Sequence, residues 1–493
     1  MTTELYRKSA GEIVRLVSAK KASAAEITAA CLSRIDAVDT GINAICTRNE
    51  AALAQAEAVD RRIKAGEAPR ALEGVPFVVK DNLVTKGLRT TFGSEIYRDS
   101  VAEEDVVAVE RIVAAGGILI GKTNLPEFAH DVNTNNTIFG LTRNPVNLNV
   151  TAGGSSGGTG AAVAAGMAPI GLGTDLGGSI RIPSSFCGIC GIRPSPGRVP
   201  VYPTEYAWDT LVEHVHGPMA RTVADTGLLL SVLAGTDDRD PMSLPDPASD
   251  YAAAARYDGR LAGRRAAYTP DLGGLMPVDD EVRALTERAA ADFAALGCDV
   301  AAATFDTADL RDIIAGTRGF GMVARYADRL AIHKANMSSQ LIGQVTDALK
   351  LDVKTVTRAE RLRTDYYHRV RKFLEIYDYI LLPTVGAPAF RLDQPLPTTV
   401  GGKPVDRYYD VFFGCYAFSV VGLPAMSVPC GFTSGGLPVG LQIVGRRLRE
   451  DRVLEAAASY AAARPEHFAP LPLGTEPISQ GTGQVVTPGM RLG

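Results

Sequence analysis

Residues 151–181 read TAGGSSGGTGAAVAAGMAPIGLGTDLGGSIR. Two glycine-flanked serine clusters stand in this stretch, Gly153-Gly154-Ser155-Ser156-Gly157-Gly158 and Asp175-Leu176-Gly177-Gly178-Ser179. Ser155 and Ser179 are 24 residues apart. Between the clusters, Thr159 to Ala168 is a small-residue run suited to a tightly packed helix. Glycine beside a serine lets the backbone take angles that other residues resist and lets a substrate come close. A serine presented that way is a candidate nucleophile, and neighbouring backbone N–H groups are candidate oxyanion donors. A surface loop could share this composition. A flexible linker, however, would not alternate with Ala-Val-Ala-Ala and Ile-Gly-Leu.

Upstream, residues 8–38 predict two helices. Ser23 with Glu26 three residues on forms a capping-box pattern for the second. A further helix is expected from Glu50 to Ile63. Phe77 to Val79, in GVPFVVKDN, reads as a short buried strand with Lys80 at its end. A terminal lysine commonly snorkels to the surface. The alternative is a buried lysine used as a base, because desolvation lowers an ammonium pKa. Asp105 to Ala115 predicts a helix, and Ile118 to Ile120 a strand. Gly116 to Thr123 fits the phosphate-loop pattern G-x-x-x-x-G-K-S/T, but a helical pattern precedes it and its interior is the strand. Gly116 and Gly117 are read as helix termination instead. Residues 127–150, polar and rich in asparagine, predict a long ordered loop of functional importance.

Downstream, Cys187-Gly188-Ile189-Cys190 has no second pair, so two buried structural thiols are expected. His214 and His216 would share a face of a strand, but no nearby cysteine or carboxylate completes a metal site. Ala224 to Leu233 is read as helical. The region from about 235 to 375 changes character, with a helix near Glu281 to Leu296, a strand near Val300 and long charged helices. Tyr379 to Leu382 and Pro438 to Val444 predict strands, and Glu450 to about Ala462 a helix.

The chain has 493 residues, 46% hydrophobic and 22% charged, as in ordinary soluble proteins. A net charge of −4 without long like-charge runs gives no case for nucleic acid or an anionic membrane. No apolar segment approaches the roughly 18 residues that span a bilayer. The N-terminus MTTELYRKSAGEIV lacks a signal-peptide core. Seven scattered cysteines suggest no disulfide framework and a reducing cytoplasm.

Three kinds of serine chemistry compete. Gly153 to Gly157 satisfies G-x-S-x-G, yet Asn144 to Thr151 is a poor strand to precede a nucleophile elbow, and the downstream histidines have no convincing setting. The S-x-x-K pattern is absent around these serines. A Lys–Ser–Ser relay remains. Here GVPFVVKDN (74–82), GKTNLPEF (121–128), GGSSGGTG (153–160) and GLGTDLGGSIRIPSSFCGICGIRP (171 onward) resemble the amidase signature family, whose members hydrolyse C–N bonds of carboxamides and related acyl compounds. Weaker matches extend the resemblance over about 10 to 460.

The resemblance implies Ser179 as nucleophile, Ser155 as relay after a cis peptide bond, and Lys80 as terminal base. It implies an oxyanion hole from the backbone N–H groups of Leu176, Gly177, Gly178 and Ser179. Ser156, Thr174, Asp175 and Arg181 would support the hydrogen-bond network. It further implies one α/β domain over 1–493, an α/β/α layering around a large mixed sheet with helices on both faces. Its parts are N-terminal helices 8–66, signature core 67–235, peripheral helical region 236–376, C-terminal core strands and helix 377–462, and extended tail 463–493. Ala129, His130 and Asp131 are the expected substrate contacts. Residues 127–150, parts of 200–216 and about 310–345 would frame the pocket.

Ala152, Val146 and Ile182 depart from common family residues. Ile182 replaces a glutamine of the transamidating subunits, which argues for a stand-alone hydrolase of amides, anilides or acyl hydrazides. The alternatives are a transamidase working with partner subunits and an inactive binding protein. No metal or organic cofactor is implied, the partner is a small amide-type molecule, and a homodimer is allowed.

Overall fold

The computed structural model describes residues 2–474, apart from 209–213, 258, 394–395 and 408. The strands in chain order are β1 (Ile45–Arg48), β2 (Pro76–Lys80), β3 (Ile118–Thr123), β4 (Asn135–Asn136), β5 (Gly140–Leu141), β6 (Ile170–Asp175), β7 (Cys190–Arg193) and β8 (Val215–Ala220). They continue as β9 (Arg265–Tyr268), β10 (Asp299–Ala302), β11 (Tyr379–Pro383), β12 (Thr399–Val400), β13 (Lys403–Pro404), β14 (Ala425–Phe432) and β15 (Pro438–Val444). Eleven of them form one sheet in the order β1-β3-β2-β6-β8-β7-β14-β15-β11-β9-β10. It is mixed: β2 runs parallel to β3 and β6, whereas β8 is antiparallel to β6 and β7. Every residue of β2, β6, β8 and β15 is buried, whichever face it points to. Helices therefore cover both faces, the layered α/β architecture the sequence led us to expect.

Local signals explain the entry helices. Ser9 with Glu12 and Ser23 with Glu26 each close a capping box, starting helices Ala10–Ser18 and Ala24–Ile42. The small-residue run forms helix Gly157–Ala164, packed against β2, β6, β8 and helix Arg181–Cys187. One-carbon and absent side chains let this helix approach the sheet closely.

The phosphate-loop match is a strand from Ile118 to Thr123. Its Lys122 is buried in an ion pair with Asp81 at 3.0 Å, not turned to a ligand. Cys187 and Cys190 are buried free thiols. The stretch 236–376 is more than a helical periphery, since β9 and β10 extend the main sheet at its far edge. Beyond helix Glu450–Ala463, residues 469–474 carry no helix or strand and fold back, with the Gly474 N–H donating to the Pro145 carbonyl at 2.8 Å. Among the described residues no helix is long and apolar enough to cross a membrane.

Candidate active site

Lys80 ends β2, a strand with no exposed residue, and its side chain is fully buried. The Nζ lies 2.7 Å from Ser155 Oγ and 2.9 Å from Thr174 Oγ1, at the end of neighbouring β6. Parallel pairing of β2 with β6 brings the two strand ends together. Burial pulls the Lys80 ammonium well below its ordinary value, only partly opposed by the charge of Asp175. The amine is therefore held toward its neutral, basic form.

The two serine clusters meet at the backbone. The Ser156 N–H donates to the Ser179 carbonyl at 3.0 Å, which sets Ser179 beside the Ser155 turn. The Ser156 hydroxyl donates to the Thr174 carbonyl at 3.2 Å and accepts from the Thr174 N–H at 3.3 Å, pinning the end of β6. Gly154–Ser155 is a cis peptide bond, as the resemblance implied. Only a glycine fits at 154, since a Cβ would stand 2.7 Å from the Asp131 carbonyl oxygen.

Asp175 organises the second cluster. One carboxylate oxygen accepts from the Gly178 N–H at 2.9 Å and from Arg181 Nη2 at 2.9 Å. The other accepts from the Ile180 N–H at 3.1 Å and from Arg181 Nε at 3.0 Å. Burial alone would raise this carboxyl, but Arg181, and then Arg193, hold it well below the usual carboxylate range. Arg181 is tied further to the Cys415 carbonyl, Gln442 Oε1 and Ser419 Oγ at 3.0, 2.7 and 2.7 Å.

The expected oxyanion set needs one correction. The Gly178 N–H is spent on Asp175, and Gly178 does not line the cavity. Leu176, Gly177 and Ser179 do line it. At Gly178 (φ +126) a Cβ would also press to 2.7 Å on Cys415 Cβ. The residue's part is to let the turn wrap round Asp175.

Ser155, Ser179 and Thr174 open onto a cavity of about 470 Å³. Parts of the three segments expected to frame it line it, residues 209–213 of the second lying outside the described residues. Ala129, His130 and Asp131 lie on its wall, as do Tyr206 and His214 from 200–216 and Arg318, Arg325 and Tyr326 from helix Leu310–His333. Ala129 adopts φ +64, the His130 ring stands edge-on to Tyr326 at 4.9 Å, and the Asp131 carboxylate caps its own turn through the Val132 and Asn133 N–H groups. His214 and His216 face each other at 5.8 Å. Burial, followed by nearby positive charge, pushes both down to about 3, so each is a neutral imidazole near pH 7. Among the described residues no group of three or more His, Cys, Asp or Glu side chains is placed to hold a metal ion.

Several lining residues were not singled out in the sequence, although Phe128 and Tyr326 fall in segments expected to frame the pocket. Phe92, Tyr97, Phe128 and Tyr326 form an aromatic wall with ring separations of 5.2–6.2 Å. Tyr416, whose ring a Cβ at Gly177 would overlap, reaches the cavity from helix Phe413–Ser419. Asn82 donates to Thr174 Oγ1 at 3.2 Å. Only Asn82 had a signal, as a polar residue two positions after Lys80. The aromatic residues come from distant segments that only the fold assembles.

A buried amine, two cavity-lining serines and the backbone of cavity-lining Leu176 and Gly177 can serve nucleophilic serine chemistry with an amine in place of histidine as base. The family model described as Amidase matches residues 26–454. An acylamidase of Rhodococcus erythropolis is 37% identical, over 94% of this chain and 96% of that protein. The A-type component of the glutamyl-tRNA(Gln) amidotransferase of Thermosynechococcus vestitus is 34% identical, over 92% and 98%. The crystal structure of a bacterial aryl acylamidase of the amidase signature enzymes superposes with a TM-score of 0.87 at 31% identity, covering 94% of this chain and 97% of that one. This chain belongs to the amidase family.

Proposed function

We propose that this protein hydrolyses the C–N bond of a small amide-type acyl compound through an acyl-enzyme on Ser179. The observation that carries the reading is the buried Lys80 amine, 2.7 Å from Ser155, beside the cavity that Ser179 lines. A serine hydroxyl is a weak nucleophile near neutral pH and needs a base. Ser179 Oγ attacks the carbonyl carbon while its proton passes to Ser155 and the Ser155 proton passes to Lys80. The carbonyl π pair moves to oxygen, where the Leu176, Gly177 and Ser179 N–H groups meet the charge; each such donor is worth roughly 3 kcal/mol. As the carbonyl re-forms, the C–N bond breaks and the relay returns a proton to the departing nitrogen. Water then attacks the ester by the same route, releasing the acid and restoring Ser179.

The aromatic wall favours an anilide or another acyl compound with a flat apolar group, in keeping with the aryl acylamidase whose fold this chain shares. Carboxamides and acyl hydrazides share the chemistry. Seven free thiols suit a reducing, cytoplasmic setting.

The relationship to the amidotransferase components supports a second reading, a transamidase that needs partner proteins. Purified chain, alone, assayed against acetanilide, benzamide and benzhydrazide separates the two. We expect amine, ammonia or hydrazine release from at least one of them, abolished by Ser179→Ala. Turnover seen only when the partner proteins are added would support the transamidase instead.

A further inference from the structure

One buried guanidinium ties separate parts of the cavity wall together. Arg318, on helix Leu310–His333, is 7% exposed. Its Nη1 donates to the Tyr416 hydroxyl at 3.3 Å. Its Nη2 donates to Gln344 Oε1 at 3.1 Å and lies 3.4 Å from His130 Nδ1. Gln344, on helix Ser339–Ala348, donates from Nε2 to the His130 carbonyl at 3.4 Å. A guanidinium can only donate and a carbonyl can only accept, so the Gln344 amide orientation is fixed at both ends. His130 is thereby held at its ring and at its backbone.

The Arg318–His130 contact has a forced direction too. Arginine carries N–H donors and no acceptor, so Nδ1 meets it as a bare lone pair. A hydrogen on Nδ1 would be aimed at another N–H. Burial, followed by the charges of Arg318 and Arg325, holds the His130 imidazolium well below its ordinary value, and the ring is neutral near pH 7. A neutral imidazole with Nδ1 bare carries its one hydrogen on Nε2. That nitrogen has no hydrogen-bond partner among the described residues, and it is not sealed in as His216 Nδ1 is. His130 lines the cavity, so its Nε2–H is a donor offered to the occupant.

The position of this donor suits a flat substrate. The next residue, Asp131, packs its carbonyl oxygen against Gly154, where a Cβ would lie only 2.7 Å away, and Ser155 follows. The His130 ring itself stands edge-on to Tyr326 of the aromatic wall at 4.9 Å. His130 thus joins the reaction centre to the surface on which a flat group would rest.

We propose that His130 is a specificity-determining residue whose Nε2–H reads a hydrogen-bond acceptor on the edge of the substrate's flat ring, with Arg318 the positioning residue that fixes this tautomer. The substrate class narrows from aryl amides in general to those with a ring nitrogen or another acceptor on the ring. This rests on the amide-hydrolysing reading above.

The test compares rings of one size with and without an acceptor: benzamide with nicotinamide and isonicotinamide, and acetanilide with its meta and para pyridyl analogues. Comparing the same pair in wild type and variant cancels the ring nitrogen's effect on intrinsic reactivity. In at least one pair the pyridyl-to-phenyl ratio of kcat/KM falls about fivefold in His130→Leu, the size of one net hydrogen bond. Arg318→Met loses the ratio with His130 still present, whereas Arg318→Lys, which still donates to Nδ1, keeps it within about twofold. The tautomer is also read on the wild-type chain by long-range proton–nitrogen NMR with isotopic nitrogen in its six histidines, the signal lost in His130→Leu marking His130. A proton on Nε2 is expected, and a proton on Nδ1 would overturn the inference even if Arg318→Met does not fold. An unchanged ratio in His130→Leu, or no turnover of any probe by a chain whose Ser179 still takes a fluorophosphonate, would overturn the role of His130 and leave the triad standing. A chain whose Ser179 takes no fluorophosphonate would overturn the triad, and this inference with it.

Discussion

Lys80→Met lowers amide turnover by on the order of 10⁴-fold and does not lower the melting temperature at pH 7. The loss of turnover follows from the proposed relay, since methionine fills the space of the lysine stem but offers no lone pair. The thermal result follows from burial. Lys80 is desolvated in the folded chain, so its pKa there lies well below the unfolded value. Between those two values the unfolded state binds the extra proton, and stability rises with pH. Below the unfolded value the lysine thus costs stability, and the cost grows as pH falls toward the folded value. Against this, the variant loses hydrogen bonds to Ser155 and Thr174, each worth about 1 kcal/mol. Paired thermal melts between pH 6 and 9 check the sign: the variant gains on the wild type as pH falls. For the same reason wild-type turnover declines on the acid side as Lys80 takes up its proton. His214 and His216, already neutral, add no limb near neutrality.

Asp175→Asn destabilises the fold by about 3–5 kcal/mol, the range for breaking a buried ion pair by removing one partner. Asp175, Arg181 and Arg193 are all fully buried. With the carboxylate gone, the buried Arg181 guanidinium loses the carboxylate that accepts from its Nε and Nη2. The turn from Leu176 to Ile180 also loses a carboxylate that holds two of its N–H groups. Because the folded carboxyl sits below its unfolded value, its stabilisation is present above the ordinary carboxylate range and is lost as pH falls through the lowered value. Urea melts at pH 7 measure the difference. A midpoint close to wild type, with turnover retained, would show that the neighbouring hydrogen bonds hold the turn without the charge.

Much of the fold was legible because its signals are local. The capping boxes, the apolar run at Phe77–Val79 and the closing strand Pro438–Val444 each announce themselves within a few residues. β6 was not legible: IGLGTD carries two glycines, poor strand formers, and is made a strand by pairing with β2 and β8. β10 was legible as the strand near Val300, whereas β9 was hidden in a helix-rich region, because a four-residue strand is fixed by its neighbours rather than by its own pattern. At the site, Lys80, Ser155 and Ser179 stood out through glycine spacing and family motifs. The aromatic wall did not, because its members approach only after folding. The role of Gly178 was misread because its N–H looks free in sequence, and only the structure places the Asp175 carboxylate within 2.9 Å of it.

In the proposed mechanism Ser179 attacks and Ser155 relays. A fluorophosphonate labelling experiment with peptide mapping by mass spectrometry tests it most directly. A single adduct on Ser179 is expected, lost in Ser179→Ala and formed far more slowly in Lys80→Met. An adduct on Ser155, or undiminished amide hydrolysis by Ser179→Ala, would contradict it.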